Sequence, residues 1–339
     1  YSKQYFALKV IHPNVKKQLR LFKLAFQLFF CWPCVRKKLY SLVPVDYLQF
    51  IHNFKHQISM VHEGSNLSHI KYNYRNSKAV IIPDMIQCSE HCLLMTYEEG
   101  EIMDRTKLSQ YQKTKIIYLI YGFITSNQAF FDICHNDLHK GNWKIRKLDG
   151  NQYGLVIYDF GYCYQLRPKD RPIIEVLTNL FESSDETVDV RDKFVDVVGF
   201  FCNDDSQEFR ESVIDYLPKQ IKCNPDFLFD LTIKVCQNTN HIVDSSTIQI
   251  LIISIQIFKY LVDAHINNSR GYKKDGYRAY RERYLDLLSY YKTCDSFPEY
   301  QSYMKNKLNK LNLEFTDLFD VIQYNETVSD EVRSLLHFD

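Results

Sequence analysis

The residues best placed to do chemistry lie between positions 135 and 161. His135-Asn136-Asp137-Leu138-His139-Lys140-Gly141-Asn142 is followed 17 residues after Asn142 by Asp159-Phe160-Gly161. Phosphoryl transfer needs an acidic group near the attacking hydroxyl and hard oxygen ligands for Mg²⁺ beside the phosphates. An Asp five residues before an Asn, with a second Asp beyond a short hairpin, supplies those groups. A D-F-G triplet alone is common by chance, and it is the ordered pair of motifs that carries the signal. His135 and His139 stand four apart on a loop rather than a helix, which does not make a helical zinc motif. His135 is expected to brace the backbone, and His139 to act locally.

A phosphate-binding site also needs a cation. Lys9 in Ala7-Leu8-Lys9-Val10 sits inside a predicted strand, where a charge is costly without a partner. The partner is expected on a following helix, and Glu63 in Met60-Val61-His62-Glu63-Gly64-Ser65-Asn66 is the candidate. Gly64 is expected to weaken that helix by about 1 kcal/mol.

The positioning elements follow from pattern. Tyr5 to Val10 reads as a strand stopped by Pro13. Residues 14–58 carry helical signals divided by Pro33 and Pro44. Ala79 to Ile82 and Cys92 to Tyr97 read as strands, and Lys107 to Asp132 as one helix with Ile116, Ile117, Leu119, Ile120, Phe123 and Ile124 on its apolar face. Trp143 to Ile145 and Leu155 to Tyr158 flank Gly150-Asn151 and predict a hairpin. From Arg171 on the pattern is helical. The fold class is α+β: a small β-bearing lobe over 1–100 with a helical insert at about 14–58, then a larger, mostly helical lobe over 101–339.

Composition bounds the function. The chain has 339 residues, 45% hydrophobic and 24% charged, with a net charge of +1. That excludes wholesale disorder and gives no sign of a nucleic-acid binder. Ten cysteines, several inside apolar runs (Cys134, Cys163, Cys202, Cys236), suit buried free thiols in a reducing compartment. Cys31-Trp32-Pro33-Cys34 has redox spacing but ends a helical run instead of following a strand. Leu21 to Val35 and Ile248 to Val262 are each interrupted by polar residues and do not read as membrane spans. Residues 16–38 pair an apolar run with basic flanks. They read as a core helix with solvated ends, or as a surface for lipid headgroups or a partner protein. The sequons at Asn66, Asn267 and Asn325 read as accidental, and the Tyr run at 272–291 as helix packing. The sequence opens on Tyr1 without an initiator Met, as a fragment or processed chain would.

Four segments in order resemble the UbiB family, the ADCK-type atypical kinases. Lys9-Val10-Ile11-His12-Pro13-Asn14-Val15 is similar to its K-V-x-H/R-P-x-V segment and Glu63-Gly64-Ser65-Asn66 to its E-A-x-N segment. Leu93 to Gly100 is similar to its hinge, and His135 to Asn142 to its H-x-D-P-H-P-G-N loop. Gly64, Leu138 and Lys140 depart from the pattern. The resemblance implies a bilobal protein-kinase-like fold with helices inserted between Lys9 and Glu63. It implies ATP and Mg²⁺ as cofactors: Lys9, paired with Glu63, on the phosphates; backbone groups of Thr96, Tyr97 and Glu98 at the adenine; Asp137 as the catalytic-loop acid; Asn142 and Asp159 as metal ligands. It further implies ATPase or kinase activity linked to coenzyme Q or membrane-lipid metabolism. Lipid or quinone-pathway protein partners, peripheral membrane contact and an intracellular, mitochondrial or membrane-associated address go with it. Two alternatives stand beside it: a small-molecule phosphotransferase of the choline or aminoglycoside kinase type, sharing the H-x-D-x-H-x-x-N loop, and an ATP-gated scaffold that transfers no phosphate.

Overall fold

The computed structural model describes residues 5–256 apart from 52–56, 178–187, 222–224 and scattered positions, most of them within 110–132. Strand β1 (Phe6–Val10) pairs antiparallel with β4 (Cys92–Thr96), which also carries β3 (Met85–Cys88) on its other edge. Between β1 and the sheet's next strand the described helices include α1 (Val15–Phe30), α2 (Pro33–Leu42) and α3 (Met60–Asn73). Pro33 occupies the first turn of α2, where its missing N–H costs nothing and its fixed φ suits a helix. It divides the insert there as predicted. Ser59 caps α3, its hydroxyl accepting from the His62 N–H at 3.3 Å, one of the donors a helix start leaves unpaired.

The hairpin expected around 150 is present as β6 (Trp143–Lys147) and β7 (Tyr153–Ile157). β7 also takes β2 (Val80–Ile81) alongside in parallel. A second, short antiparallel pair joins β5 (Ile133–His135) to β8 (Cys163–Gln165). The chain is therefore α+β and two-lobed. The predicted helix over Lys107 to Asp132 is helical only in part: Lys107 to Ser109 are not helical, the described residues of 112–124 are, and Asn127–Phe131 forms a π turn. All six residues of its predicted apolar face are buried. The helical stretch after 171 includes α4 (Val188–Cys202), α5 (Gln207–Tyr216) and α6 (Pro225–Thr239). The Tyr run, Asn267 and Asn325 lie outside the described residues.

One contiguous apolar core runs from Met60 through the β6–β7 hairpin into α4, α5 and α6. Cys202 and Cys236 meet inside it, Sγ to Sγ 3.2 Å apart as free thiols, while Cys31 and Cys34 are free and exposed. Asn66 is buried, as an accidental sequon requires.

Gly64 has a reason beyond helix propensity. A Cβ there would lie 2.9 Å from Cys88 Sγ and 3.0 Å from Met85 Sδ. The missing side chain lets α3 lie flush on β3, and that seating fixes the height of Glu63 one residue away. Gly64→Val is expected to cost about 1–3 kcal/mol by overpacking, read by urea denaturation. Adding Met85→Ala should recover part of that loss.

Candidate active site

Strand alternation turns Lys9 to the same side of β1 as Ala7, toward α3 rather than solvent. Its Nζ lies 2.8 Å from Glu63 Oε1 and 2.7 Å from Asp159 Oδ1. The 54-residue reach from strand to helix, and the 150-residue reach to the D-F-G turn, close on a single ammonium.

The two contacts are alike in length, so burial decides how the charges divide. The Glu63 side chain is 1% exposed and that of Asp159 is 45% exposed. For Glu63, burial outweighs the attraction of Lys9 and holds the carboxyl above its ordinary range. One of its oxygens, Oε2, is buried with no hydrogen-bond partner. For Asp159, burial also pulls upward, but Lys9 and the Gly161 N–H win and the carboxyl titrates below its usual value. Burial would push Lys9 down, yet its two carboxylates outweigh that and raise it. Lys9 is thus shared between a carboxyl that burial pushes upward and one that the lysine pulls downward, and Glu63 is the buried acceptor that fixes it.

Asp159 is one of three non-glycine residues described with positive φ, at 58°. Left-handed backbone is tolerated by Asp but seldom adopted without compensation. Here the compensation is dense. The Phe160 carbonyl accepts from Asn66 Nδ2 on α3 at 2.9 Å. The Phe160 ring is buried and meets the His135 ring edge-on at 5.5 Å. At Gly161 a Cβ would stand 3.1 Å from Gln57 O, a tight contact with backbone just ahead of α3, so the turn passes close under that helix's start.

The loop before the hairpin is braced by His135. Its Nδ1 accepts from the Asp137 N–H at 3.2 Å, which makes Nε2 the donor to the Tyr158 carbonyl at 3.1 Å. Burial lowers its pKa and keeps it neutral, as a bracing role needs. Asn142 Nδ2 donates to the Asp137 carbonyl at 2.7 Å and to Asp137 Oδ2 at 3.1 Å. His139 also acts locally: its Nδ1 accepts from Gly141 N–H at 2.9 Å and its Nε2 is 3.6 Å from Asp137 Oδ2. Lys140 pairs with Asp104 at 3.1 Å on the surface.

Asn142 has spent its amide nitrogen on Asp137, so the oxygen is what it can offer a cation. With the Asp159 carboxylate, that is a pair of hard oxygen ligands of the kind that suits Mg²⁺. Among the described residues no cluster of three His, Cys, Asp or Glu could hold a metal. A cation here would complete its shell with phosphate oxygens and water, as Mg²⁺ commonly does.

Thr96, Tyr97 and Glu98 form a separate group, and much of their backbone is in use. Thr96 N–H donates to Asp84 O at 2.9 Å and Tyr97 N–H to Tyr5 O at 3.0 Å. The Glu98 carbonyl accepts the Tyr158 hydroxyl at 2.5 Å, and Glu98 Oε2 is held by Arg146 at 2.8 Å. A base reaching this segment would use the second lone pair of a carbonyl or displace one of these bonds.

Tyr158 is the residue that sequence reasoning missed. Its hydroxyl holds Glu98, its N–H donates to the Asn142 carbonyl at 2.8 Å, and its own carbonyl takes His135. It precedes Asp159 and so ties the 96–98 segment, the loop and the D-F-G turn at one point. Burial, with Tyr97 nearby, pushes its phenol up to about 12, so it remains a donor at physiological pH. The one available signal was a tyrosine ending the otherwise aliphatic run Leu155 to Tyr158.

The family model for the ABC1 atypical kinase-like domain matches residues 2–190. Among solved structures, the chain is similar to Rv3197 of Mycobacterium tuberculosis, solved in complex with erythromycin. The two are 16% identical over 75% of this chain and 68% of that one, with a TM-score of 0.46.

Two outcomes are expected. Lys9→Met should destabilise the fold by about 2 kcal/mol at neutral pH, because a buried carboxyl loses its partner. A carboxyl whose folded pKa is raised contributes stability that is full below its unfolded value, near 4.5, and is lost as pH rises through the folded one. The deficit of Lys9→Met should therefore grow from pH 4.5 upward in urea titrations, and Glu63→Gln in the same background should flatten it. Tyr158→Phe should cost about 1 kcal/mol, seen by the same titration.

Proposed function

The chain belongs to the ABC1 atypical kinase-like family, and from that premise we propose that it binds ATP with Mg²⁺ and acts as an ATPase or phosphotransferase of that family. The observation that carries this reading is the state of Asp159: ionised, half exposed, in left-handed backbone and bound to Lys9. A structural ion pair would not need a carboxylate presented in that way, whereas a phosphate-bound cation does.

In this reading Lys9 shares its charge between Asp159 and the phosphates, and Glu63 keeps it from swinging away. Asn142 Oδ1 and Asp159 hold Mg²⁺, which supplies neutralisation of the phosphate charge when bound. Asp137, oriented by Asn142, stands ready to accept the proton of the attacking hydroxyl or water. The 96–98 segment takes the base, with Tyr158 setting its distance from Asp159. Service in coenzyme Q or membrane-lipid metabolism is the family-based part of the proposal.

The test is a thermal shift with ATP, with and without Mg²⁺. Ligand at about a hundredfold excess over its Kd adds about 2.7 kcal/mol to a folded state, so a Mg²⁺-dependent rise of several degrees is expected. Asp159→Asn should abolish both that rise and Mg²⁺-dependent hydrolysis. Unchanged turnover in the variant would overturn the site. A rise without turnover in the natural chain would favour the ATP-gated scaffold.

A further inference from the structure

The residue that leads into Asp137 is held from far along the chain. Asn136 is buried, and its N–H donates to the Tyr162 carbonyl, just past the D-F-G turn, at 2.9 Å. Its other groups go to the helical residues beyond α6, at 247–253 and 255–256. Asn136 Nδ2 donates to Gln249 Oε1 at 3.2 Å, and Gln256 Nε2 donates to the Asn136 carbonyl at 2.6 Å. Gln249 and Gln256 interrupt a run of isoleucine and leucine broken otherwise only by Ser254. Their spacing puts them about two helical turns apart on nearly the same face.

The peptide between Asn136 and Asp137 is thereby fixed at both ends. Its carbonyl takes Gln256, and its N–H goes to His135 Nδ1 at 3.2 Å. A planar unit held at its oxygen and at its nitrogen cannot turn, so the backbone that carries Asp137 is set before Asn142 aims the side chain. The arrangement is not the most stable one the fold could have. Asn136 Oδ1 and Gln256 Oε1 are buried with no hydrogen-bond partner, and each such acceptor lowers stability. Apolar side chains of similar size would suit this helix better. Polar contacts kept at the expense of stability are a mark of functional sites, and these end on the residue before a candidate catalytic acid.

From these observations we infer that Gln249 and Gln256 are positioning residues of the phosphoryl-transfer site. They clamp Asn136 so that Asp137 meets the attacking hydroxyl or water at a fixed angle. The task of Asp137 rests on the function proposed above, whereas the clamp rests on the hydrogen bonds alone. Groups that orient a proton acceptor without touching ATP act on kcat and leave nucleotide binding as it was.

The full chain is compared with Gln256→Met, which keeps the length of the side chain and removes the donor. With ATP and Mg²⁺, kcat for hydrolysis should fall about ten- to hundredfold, while KM and the ATP-dependent thermal shift stay as in the natural chain. In an Asp137→Asn background the same change should leave the residual kcat where it is, because the clamp works through Asp137. The Asp137 amide should exchange with solvent faster in Gln256→Met, followed by NMR, whether or not ATP is turned over. Gln249→Met loosens only the Asn136 side chain and should lower kcat by a smaller factor; it is the second variant should Gln256→Met not fold. A lower melting temperature with kcat unchanged well below it would overturn the clamp and leave the two glutamines as packing. So would a further fall in kcat in the Asp137→Asn background, or an Asp137 amide whose exchange is unaltered. A natural chain without turnover would instead overturn the function proposed above, and the amide exchange then decides the clamp by itself.

Discussion

A lysine in the middle of a strand must find counter-charge, and at Lys9 that need organises the site. A single ammonium draws together a helix 54 residues downstream and a turn 150 residues downstream. The two carboxyls differ in burial: that of Glu63 is enclosed and pushed upward, that of Asp159 is half exposed and pulled downward. The buried partner gives position and the exposed one presents its carboxylate to the cleft side of the lysine. The rest of the lobe serves that division. Gly64 seats α3 close on β3, Ser59 starts the helix at the right residue, and Asn66 reaches from the same helix to the backbone of the turn it faces.

On the other side of the cluster the backbone is held by neutral groups. His135, Asn142 and Tyr158 satisfy one another's carbonyls and amides, and none needs to be charged. Buried neutral hydrogen bonds hold shape without the desolvation cost that ions incur. The site therefore combines a rigid neutral frame with one small ionic cluster, and the frame carries the strained φ of Asp159.

Much of this was legible in the sequence. The chemistry-bearing residues are polar, rare in context and fixed in spacing, so Lys9, Glu63, Asp137, Asn142 and Asp159 could be picked out before any coordinates. The Lys9–Glu63 pairing and the bracing role of His135 are there in the structure, and so is the hairpin. The unread parts share a physical cause. Strands β5 and β8 have three residues each and β2 has two, too short for any periodicity to register. Tyr158 acts through a hydroxyl contact with a residue 60 positions away, and no local pattern encodes that. Gly64 read as a weakness because propensity knows nothing of Cys88 and Met85 on the facing strand. The N-terminal end of the 107–132 helix was overextended because a start signal went unread: Ser109 Oγ accepts from the Gln112 N–H at 3.2 Å and Gln112 Oε1 from the Ser109 N–H at 2.8 Å, a capping box that begins the helix there.

The short parallel pairing of β2 with β7 has a consequence for how the molecule comes apart. Val80 and Ile81 come before the 96–98 segment, yet their backbone partners are Leu155 and Val156 beyond it. An excised segment ending near residue 100 would carry that strand with its partners missing. Heating or denaturant should accordingly meet one cooperative unit across this seam rather than two that melt in turn. Amide protons of β7 would then exchange with solvent only when the smaller lobe opens with it, so the slowest-exchanging residues of the two lobes would share one opening free energy.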